Sequence, residues 1–374
     1  MKINAAVLRE VGKPQPYADS QPLRIEPITL DPPGPGEVLL RIRAAGLCHS
    51  DLSVINGDRP RPVPMVLGHE AAGEVVELGA GVDDLAPGDH VVLIFVPSCG
   101  HCDPCAEGRP ALCEPGNAAN GRGELLSGAR RLRADAVPVN HHIGVSAFAD
   151  HAVVSRRSLV KVDKDLPFEQ AALFGCAVLT GVGAAVNTAG VRPGQSVAVV
   201  GLGGVGYAAL LGALAAGATR VVAVDLLPEK LAFARGLGAT DAFLASDADC
   251  IEQVKQATGG GVDICLEMAG SVPALDLAYR ITRRGGTTVT AGLAHPSKSV
   301  AIQQVSLVAE ERTLKGSYIG SCIPTRDIPR LVSLFRAGKL PVDRLLSETL
   351  PLERINEAFD RLAAGKTIRQ VVMF

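Results

Sequence analysis

The chain has 374 residues, 47% hydrophobic and 20% charged, which supplies enough apolar material for two buried cores and leaves no tract that we expect to be disordered. Its formal net charge of −2 and its scattered Lys and Arg residues argue against nucleic acid or an anionic membrane as a partner. Arg9 and Glu10 interrupt the N-terminal apolar residues, so we expect no secretory signal and a cytoplasmic location, where stable disulfides are rare.

The first half of the chain has the pattern of β structure. The sequence GEVLLRIRAAG, residues 36–46, alternates from Val38 to Ala44, and residues 68–92 contain strand-like runs separated by Gly, Asp and Pro. Short strands with frequent turn residues predict an antiparallel, barrel-like sheet.

Four cysteines follow within the sequence CGHCDPCAEGRPALC, residues 99–113. Their C-x2-C-x2-C-x7-C spacing can close a tetrahedral thiolate site, the geometry of structural zinc. Disulfides are the competing interpretation, but adjacent C-x2-C pairs in a chain without a secretory signal favour a metal. A closed four-cysteine site leaves no coordination position for a substrate, so we do not expect the active site here.

An open metal site could be built from Cys48 in GLCHSD, His69 in GHE and Cys176 in FGCAVLTG. Two thiolates and an imidazole are a ligand set that leaves zinc a fourth position for water or an alkoxide. Spacing alone does not decide, because each residue could equally lie in a core. The other cysteines, Cys250, Cys265 and Cys322, are predicted core residues.

After about residue 176, strand-like and helix-like segments alternate, which predicts a doubly wound parallel sheet. The uncharged run from Ser196 to Ala218 is long enough to span a bilayer, but its glycines favour a buried strand, a turn and a buried helix. The predicted strands are residues 196–200, 220–225, 262–267 and 287–291; the predicted helices include residues 228–238 and 271–285.

The sequence GLGGVG, residues 201–206, leaves the first of these strands and opens a helix. This G-x-G-x-x-G context predicts a dinucleotide site, with the pyrophosphate at the helix N-terminus. Asp225 ends the next strand, 24 positions after Gly201, where an acidic residue binds the adenosine ribose. Its charge would repel a 2′-phosphate, and Leu226 and Leu227 provide no cation, so NAD is predicted over NADP. The alternative is that the glycines serve only helix–sheet packing.

In their order along the chain, GLCHSD, GHEAAG, the four-cysteine segment, GCAVLTGVGA, GLGGVG and the C-terminal INEAFDRLAAGKTIRQVVMF resemble the zinc-containing medium-chain alcohol dehydrogenases. The resemblance covers essentially the whole chain. It implies an α/β protein with a GroES-like β-rich catalytic domain and a Rossmann doubly wound parallel-sheet coenzyme domain. The expected limits are 1–178 for the GroES-like domain with its zinc lobe at 95–115, 179–320 for the Rossmann domain, and 321–374 for a segment that completes the catalytic domain.

The resemblance also implies roles for individual residues. Zinc ligands would be Cys48, His69 and Cys176 at the catalytic site, and Cys99, Cys102, Cys105 and Cys113 at the structural site. Catalytic or supporting residues would be Ser50 and His49 in proton transfer, Asp51 orienting His69, and Glu70 behind the metal. Cofactor contacts would come from His49, Gly201, Gly203, Gly204, Val205, Gly206, Asp225, Lys230, Leu293 and Arg369. The substrate pocket would include Ser50, Phe95, His142, Ile143, Leu293 and Tyr318.

Residue-level alternatives stay open for several of these positions. Ser50 could cap a short helix, Glu70 could be a solvated charge, and Arg369 could pair with a surface carboxylate. Two positions depart from the liver-type members of the family: Ser53 stands where they often carry a relay histidine, and His142 stands where they carry an aromatic residue.

The implied activity is oxidation of an alcohol to an aldehyde or ketone by reversible hydride transfer to NAD, with two zinc ions per chain. The alternatives are a thiol-adduct formaldehyde dehydrogenase, for which Arg59 is the one candidate cation, and a catalytically silent NAD-binding protein. The expected partner is a small alcohol or aldehyde. A homodimer is expected because the segment 118–142, absent from shorter tetrameric members, is retained; a tetramer is the other possibility.

Overall fold

The computed structural model describes all residues, 1–374. The strands are β1 Lys2–Leu8, β2 Leu23–Leu30, β3 Glu37–Gly46, β4 Met65–Val66, β5 Glu70–Leu78, β6 His90–Leu93, β7 Leu132–Ala134, β8 Val137–His141, β9 His151–Ser155, β10 Leu159–Val162, β11 Ser196–Val200, β12 Arg220–Asp225, β13 Asp241–Leu244, β14 Val262–Glu267, β15 Thr282–Thr290, β16 Thr313–Gly316, β17 Leu346–Pro351 and β18 Arg369–Met373.

The α-helices are α1 Tyr17–Ser20, α2 His49–Ile55, α3 Asp103–Ala106, α4 Glu114–Arg122, α5 Phe168–Ala171, α6 Ala177–Gly183, α7 Gly204–Ala215, α8 Pro228–Leu237, α9 Cys250–Thr258, α10 Val272–Ile281, α11 Gln304–Ala309, α12 Pro324–Arg336 and α13 Ile355–Ala363. Single 3-10 turns occupy Pro110–Leu112, Arg156–Ser158, Ala172–Gly175, Ile319–Ser321, Val342–Leu345 and Leu352–Arg354, and a π-helical turn occupies Ala184–Ala189.

The chain divides into two compact units. Unit 1 contains Met1–Cys176, Ile323–Val332 and Val342–Phe374, and unit 2 contains Ala177–Cys322 and Ser333–Pro341. The C-terminal segment that we expected to join the first domain as a whole is therefore divided, with residues 333–341 in unit 2.

Unit 1 is built from a closed barrel in the order β1-β2-β7-β8-β4 and a seven-stranded sheet in the order β10-β6-β5-β3-β18-β17, in which β9 also pairs with β3. The predicted barrel-like β structure is confirmed. Most pairs are antiparallel, but β4–β8 and β17–β18 are parallel, and both have the long connection that a parallel pair requires. Pairing of Gly46 with Glu70 places the end of β3 beside the start of β5.

Unit 2 contains a six-stranded sheet in the order β13-β12-β11-β14-β15-β16, and all of its pairs are parallel. The predicted doubly wound sheet is confirmed, and the uncharged run after Ser196 forms the strand β11, a turn and the helix α7. One predicted boundary is wrong: α10 ends at Ile281, and β15 begins at Thr282. Thr282 enters the sheet by pairing with Val262, ahead of a register shift in β14.

Each unit has its own apolar core. In unit 1, buried residues such as Ile3, Ile28 and Val153 form one apolar cluster, and in unit 2 Val200, Val224 and Cys265 belong to another. No single helix is long and apolar enough to cross a membrane; only the bent succession Phe168–Gly175 and Ala177–Ala189 reaches that length and composition as a pair.

Candidate active site

Unit 1 brings together Cys48, His69 and Cys176, although they are far apart in sequence. Cys48 lies at the N-cap of α2, two residues beyond the end of β3, and His69 immediately precedes β5, so the β3–β5 pairing brings them close together. Cys176 follows the 3-10 turn Ala172–Gly175. The three ligand atoms lie within 4.8 Å of one another and all three residues are buried. The Cys176 Sγ is 3.5 Å from His69 Nε2.

The protonation of these groups suits a cation. Asp51 Oδ1 lies 3.1 Å from His69 Nδ1, and a carboxylate at Nδ1 favours a proton there, which leaves the Nε2 lone pair directed at the cluster. A hydrogen bond from the Cys176 thiol and the charge of Arg369 lower the pKa of Cys48 well below its ordinary value despite burial. A thiolate, a second thiol and an oriented imidazole are the donors that zinc prefers, so the residues present fit the metal.

Asp51 is fully buried, and its carboxylate has more than one polar contact. The same oxygen that faces His69 accepts a hydrogen bond from the Gly68 backbone N–H at 3.0 Å, and it lies 3.0 Å from His142 Nδ1. Burial alone would raise the pKa of Asp51, but the hydrogen bonds with the imidazoles of His69 and His142 lower it below its ordinary value. The carboxylate therefore stays ionised and can orient His69.

Glu70 and Arg369 form a buried pair beside the cluster. The Arg369 Nε lies 3.6 Å from Glu70 Oε1, and Arg369 Nη1 donates to the Leu47 carbonyl at 3.1 Å. Burial raises the pKa of Glu70 to about 7, although the charge of Arg369 opposes this. Neither residue is at the surface. The alternatives of a solvated glutamate and of an arginine paired with a surface carboxylate are therefore wrong, whereas contact of Arg369 with a pyrophosphate stays a prediction.

The residues predicted to transfer protons lie on α2. Cys48, and not Ser50, occupies the N-cap position, and no side-chain capping bond is present, so the structure does not support the capping alternative for Ser50. His49 is exposed. The Ser53 hydroxyl donates a hydrogen bond to the His49 carbonyl at 2.8 Å, so its proton is already used within the helix. The roles of Ser50 and His49 stay predictions.

Of the predicted pocket residues, four belong to unit 1: Ser50, described above, and Phe95, His142 and Ile143. Phe95 and His142 both pack edge-to-face on His69, with ring centroids at 5.2 and 5.5 Å. Ile143, which follows His142 in sequence, is buried and has a positive φ of 40°. Leu293 and Tyr318 belong to unit 2, where both are exposed, and their place in a pocket stays a prediction.

Sequence reasoning missed two supporting contacts in unit 1. It did not foresee that His142 would share Asp51 with His69, nor that Asn120 would fix Phe95 by donating to its carbonyl at 2.8 Å. Neither pair has a local signal, because residues 91 and 25 positions apart meet only through the fold.

The second cluster, Cys99, Cys102, Cys105 and Cys113, also has its ligand atoms within 4.8 Å of one another, and none of the four is in a disulfide. Backbone N–H groups point at the sulfurs: Cys99 N is 3.1 Å from Cys113 Sγ, and Cys102 N is 3.3 Å from Cys99 Sγ. Such donors stabilise thiolates, so this cluster fits a closed four-thiolate zinc site.

We expect replacement of Cys102 with Ala to lower the zinc content from two ions to one per chain and to lower the Tm, because metal binding at a structural site is largely folding free energy. Metal analysis and thermal unfolding of the purified variant would measure both. Cys250→Ala is the matched control, since Cys250 is buried but lies in neither cluster. Retention of both ions in Cys102→Ala would contradict a zinc site in this segment.

In unit 2, the glycine turn 201–206 joins β11 to α7, which begins at Gly204. A Cβ on Gly206 would stand 1.9 Å from the Gly201 carbonyl oxygen, so this position admits only glycine, whereas Gly203 faces open space. The Asp225 carboxylate accepts hydrogen bonds from Leu202 N–H at 2.6 Å and Leu227 N–H at 3.1 Å. Lys230 Nζ lies 4.0 Å from it. An open turn at a helix N-terminus beside a carboxylate fits a dinucleotide.

These features define a class of protein. Unit 1 has a buried two-cysteine, one-histidine cluster suited to an open zinc site and a four-cysteine cluster suited to a closed one, and unit 2 has a parallel sheet with a glycine turn at its carboxyl edge. The combination is that of a zinc-dependent oxidoreductase that uses a nicotinamide dinucleotide.

Comparison with known proteins gives the family. Residues 34–164 match the family described as alcohol dehydrogenase GroES-like domain, and residues 204–337 match the family described as zinc-binding dehydrogenase. A Mycobacterium tuberculosis protein whose name classes it as an alcohol dehydrogenase is 42% identical over 377 residues, with 100% of both chains covered.

Two solved structures are also similar. Benzyl alcohol dehydrogenase from Acinetobacter calcoaceticus has a TM-score of 0.93 at 33% identity, covering 100% of this chain and 99% of its own. A zinc-binding dehydrogenase from Sinorhizobium meliloti 1021, bound to NADP, has a TM-score of 0.81 at 27% identity, covering 100% of each chain. The chain belongs to the zinc-containing medium-chain alcohol dehydrogenase family, and its activity is that of a zinc-dependent alcohol dehydrogenase. The predicted pairing of GroES-like and Rossmann domains is confirmed.

Proposed function

We propose that the protein oxidises an alcohol to an aldehyde or ketone by reversible hydride transfer to NAD, with the catalytic zinc held by Cys48, His69 and Cys176. The observation that carries the proposal is the buried cluster itself, in which Asp51 fixes the ring of His69 so that Nε2 is left for a metal. When bound, the zinc would act as a Lewis acid that lowers the pKa of the alcohol, and the nicotinamide would accept the hydride.

The protein's own residues would supply orientation and proton transfer. Ser50 is the proposed acceptor of the alcohol proton, because it carries a hydroxyl one position after His49 and two after Cys48. Ser53 cannot continue the relay while its hydroxyl is bonded to the His49 carbonyl, so His49 is the proposed next acceptor. Phe95 and His142, which flank His69, would border the alcohol and limit the access of water.

The choice of NAD rests on Asp225. Its carboxylate is buried, and each oxygen accepts only one backbone hydrogen bond, so acceptor capacity remains for the two ribose hydroxyls. A 2′-phosphate in that position would meet a carboxylate. The adjacent Leu226 is 65% exposed and offers no positive charge.

Asp225→Gly combined with Leu226→Arg is expected to shift the NADP/NAD ratio of kcat/KM toward NADP by roughly 10- to 100-fold, because a hydrogen bond to a charged group contributes about 1.5–3 kcal/mol. Steady-state kinetics with both cofactors would measure the ratio, and Leu226→Ala alone is the control that removes bulk without adding charge. A native enzyme that already prefers NADP would refute this interpretation of Asp225.

Turnover with a panel of primary, benzylic and secondary alcohols, with NAD and with or without glutathione, tests the function as a whole. Oxidation of an alcohol without glutathione supports the proposal. Oxidation of formaldehyde that occurs only when glutathione is present would instead indicate the thiol-adduct activity. Failure to turn over any alcohol or thiol adduct would reject both.

A further inference from the structure

Unit 2 contains a buried carboxylate that neither the motifs nor the resemblance assigned. Glu267 is the last residue of β14 and is 1% exposed. Its Oε1 accepts hydrogen bonds from Ala269 N–H at 2.8 Å and Gly270 N–H at 2.6 Å, and its Oε2 accepts one from the Thr290 hydroxyl at 2.6 Å. All three donors are neutral. A buried carboxylate without a cation costs free energy unless several hydrogen bonds satisfy it. The three hydrogen bonds therefore fix the Glu267 side chain in one position.

The three hydrogen bonds fasten two separate segments to each other. Ala269 and Gly270 follow β14, whereas Thr290 ends the neighbouring strand β15. Beyond Thr290, the segment after β15 packs against the segment after β14 so closely that only glycine fits at position 292. A Cβ on Gly292 would stand 2.1 Å from Gly270 N and 2.9 Å from Glu267 Oε2. The Glu267 backbone carbonyl also accepts the Ala291 N–H at 3.0 Å. The position of the segment 291–293 therefore depends on Glu267.

A third segment depends on the same carboxylate. A Cβ on Gly201, the first residue of the glycine turn, would stand 2.6 Å from the Cβ of Ala269 and 2.7 Å from its backbone N. Ala269 is thus packed directly against the turn, at a backbone position that the Glu267 side chain fixes. Glu267 holds the segment after β14, connects it to the segment after β15, and supports the turn after β11.

All three segments lie at the carboxyl ends of neighbouring parallel strands, because β14 pairs with both β11 and β15. Ligands of doubly wound sheets bind outside the carboxyl ends of the strands. We propose that Glu267 is a positioning residue for the dinucleotide, which shapes the binding surface from beneath without contacting the cofactor. This proposal rests on the proposed dinucleotide-dependent function.

The test is the affinity of the full-length enzyme for NADH, measured by calorimetry or by NADH fluorescence, since the chain has no Trp to report binding. Glu267→Ala is expected to weaken binding roughly tenfold or more, equivalent to about 1.4 kcal/mol. Glu267→Gln should stay within roughly threefold of the native Kd, because the amide oxygen can still accept both backbone N–H groups. Both variants should retain the zinc content of the native enzyme.

Asp263 provides a matched control at the opposite end of the same strand. Its carboxylate also accepts three hydrogen bonds, from Ser196 N–H at 2.7 Å, the Ser196 hydroxyl at 2.6 Å and Arg283 Nε at 2.7 Å. Asp263→Ala should lower the Tm but leave the Kd for NADH unchanged. Equal weakening in Asp263→Ala and Glu267→Ala would show that general destabilisation is the cause and would overturn the proposal.

Thr290→Val keeps the test decisive if Glu267→Ala does not fold. It removes one of the three hydrogen bonds with little change of shape, and we expect a roughly threefold weaker Kd. If Thr290→Val, or a folded Glu267→Ala, binds NADH with the same Kd as the native enzyme, the positioning role is overturned. If the native enzyme itself binds neither NADH nor NADPH, the proposed function fails instead.

Discussion

Replacement of Ser50 with Ala is expected to lower kcat by ~10²–10⁴-fold, the range for a positioned proton-transfer group. The serine hydroxyl can accept the proton of the alcohol while it donates its own onward, and alanine can do neither. The helix α2 offers no replacement hydroxyl, because that of Ser53 is already bonded to the His49 carbonyl. Steady-state kinetics at saturating cofactor and alcohol would measure the loss.

Two variants control for this experiment. Ser50→Thr retains the hydroxyl and should retain most of the activity, although its methyl group can narrow the range of substrates. Ser53→Ala removes a hydroxyl from the same helix and should leave kcat within about twofold, since the lost bond is a local helix contact. If the Ser50→Ala enzyme keeps its kcat, or if the Ser53→Ala enzyme loses as much kcat as Ser50→Ala does, Ser50 has no special role in the proposed relay.

Replacement of Cys176 with Ala is expected to remove one zinc and to lower kcat at least ~10³-fold. Lewis-acid stabilisation supplies several kcal/mol of the rate acceleration, and each ~1.36 kcal/mol is tenfold in rate. The two donors left, Cys48 and His69, cannot hold the ion as three do. Metal analysis and kinetics on the same preparation would show both effects together.

The comparison with Cys102→Ala separates the two metal sites. Cys176→Ala should lose activity while the four-cysteine cluster keeps its zinc, whereas Cys102→Ala should lose stability through the other ion. Full activity in a Cys176→Ala enzyme that has lost a zinc would contradict a catalytic role for this cluster.

Much of the architecture could be predicted because local patterns carry it. The glycine turn 201–206 and the alternation of strands and helices gave the parallel sheet, and the four closely spaced cysteines gave the second metal cluster. The meeting of Cys48, His69 and Cys176 was not local, and only the resemblance to a family indicated it before the structure showed it.

The contacts that sequence reasoning missed depend on tertiary packing. Asp51 reaches His142 as well as His69, and Glu267 joins the ends of two strands, at spacings that follow no helix or strand period. The burial of Glu70 beside Arg369 likewise reflects the pairing of β3 with both β5 and β18, and a glutamate at the start of a strand gives no sign of it. From the sequence alone, these buried charged residues cannot be told from charged residues that are exposed to solvent.

Anomalous diffraction at the zinc absorption edge, from crystals of the native enzyme, tests the central claim most directly. The account predicts two zinc peaks per chain, one among Cys48, His69 and Cys176 and one among Cys99, Cys102, Cys105 and Cys113. The absence of zinc from the first cluster, in a preparation that oxidises alcohols, would contradict it.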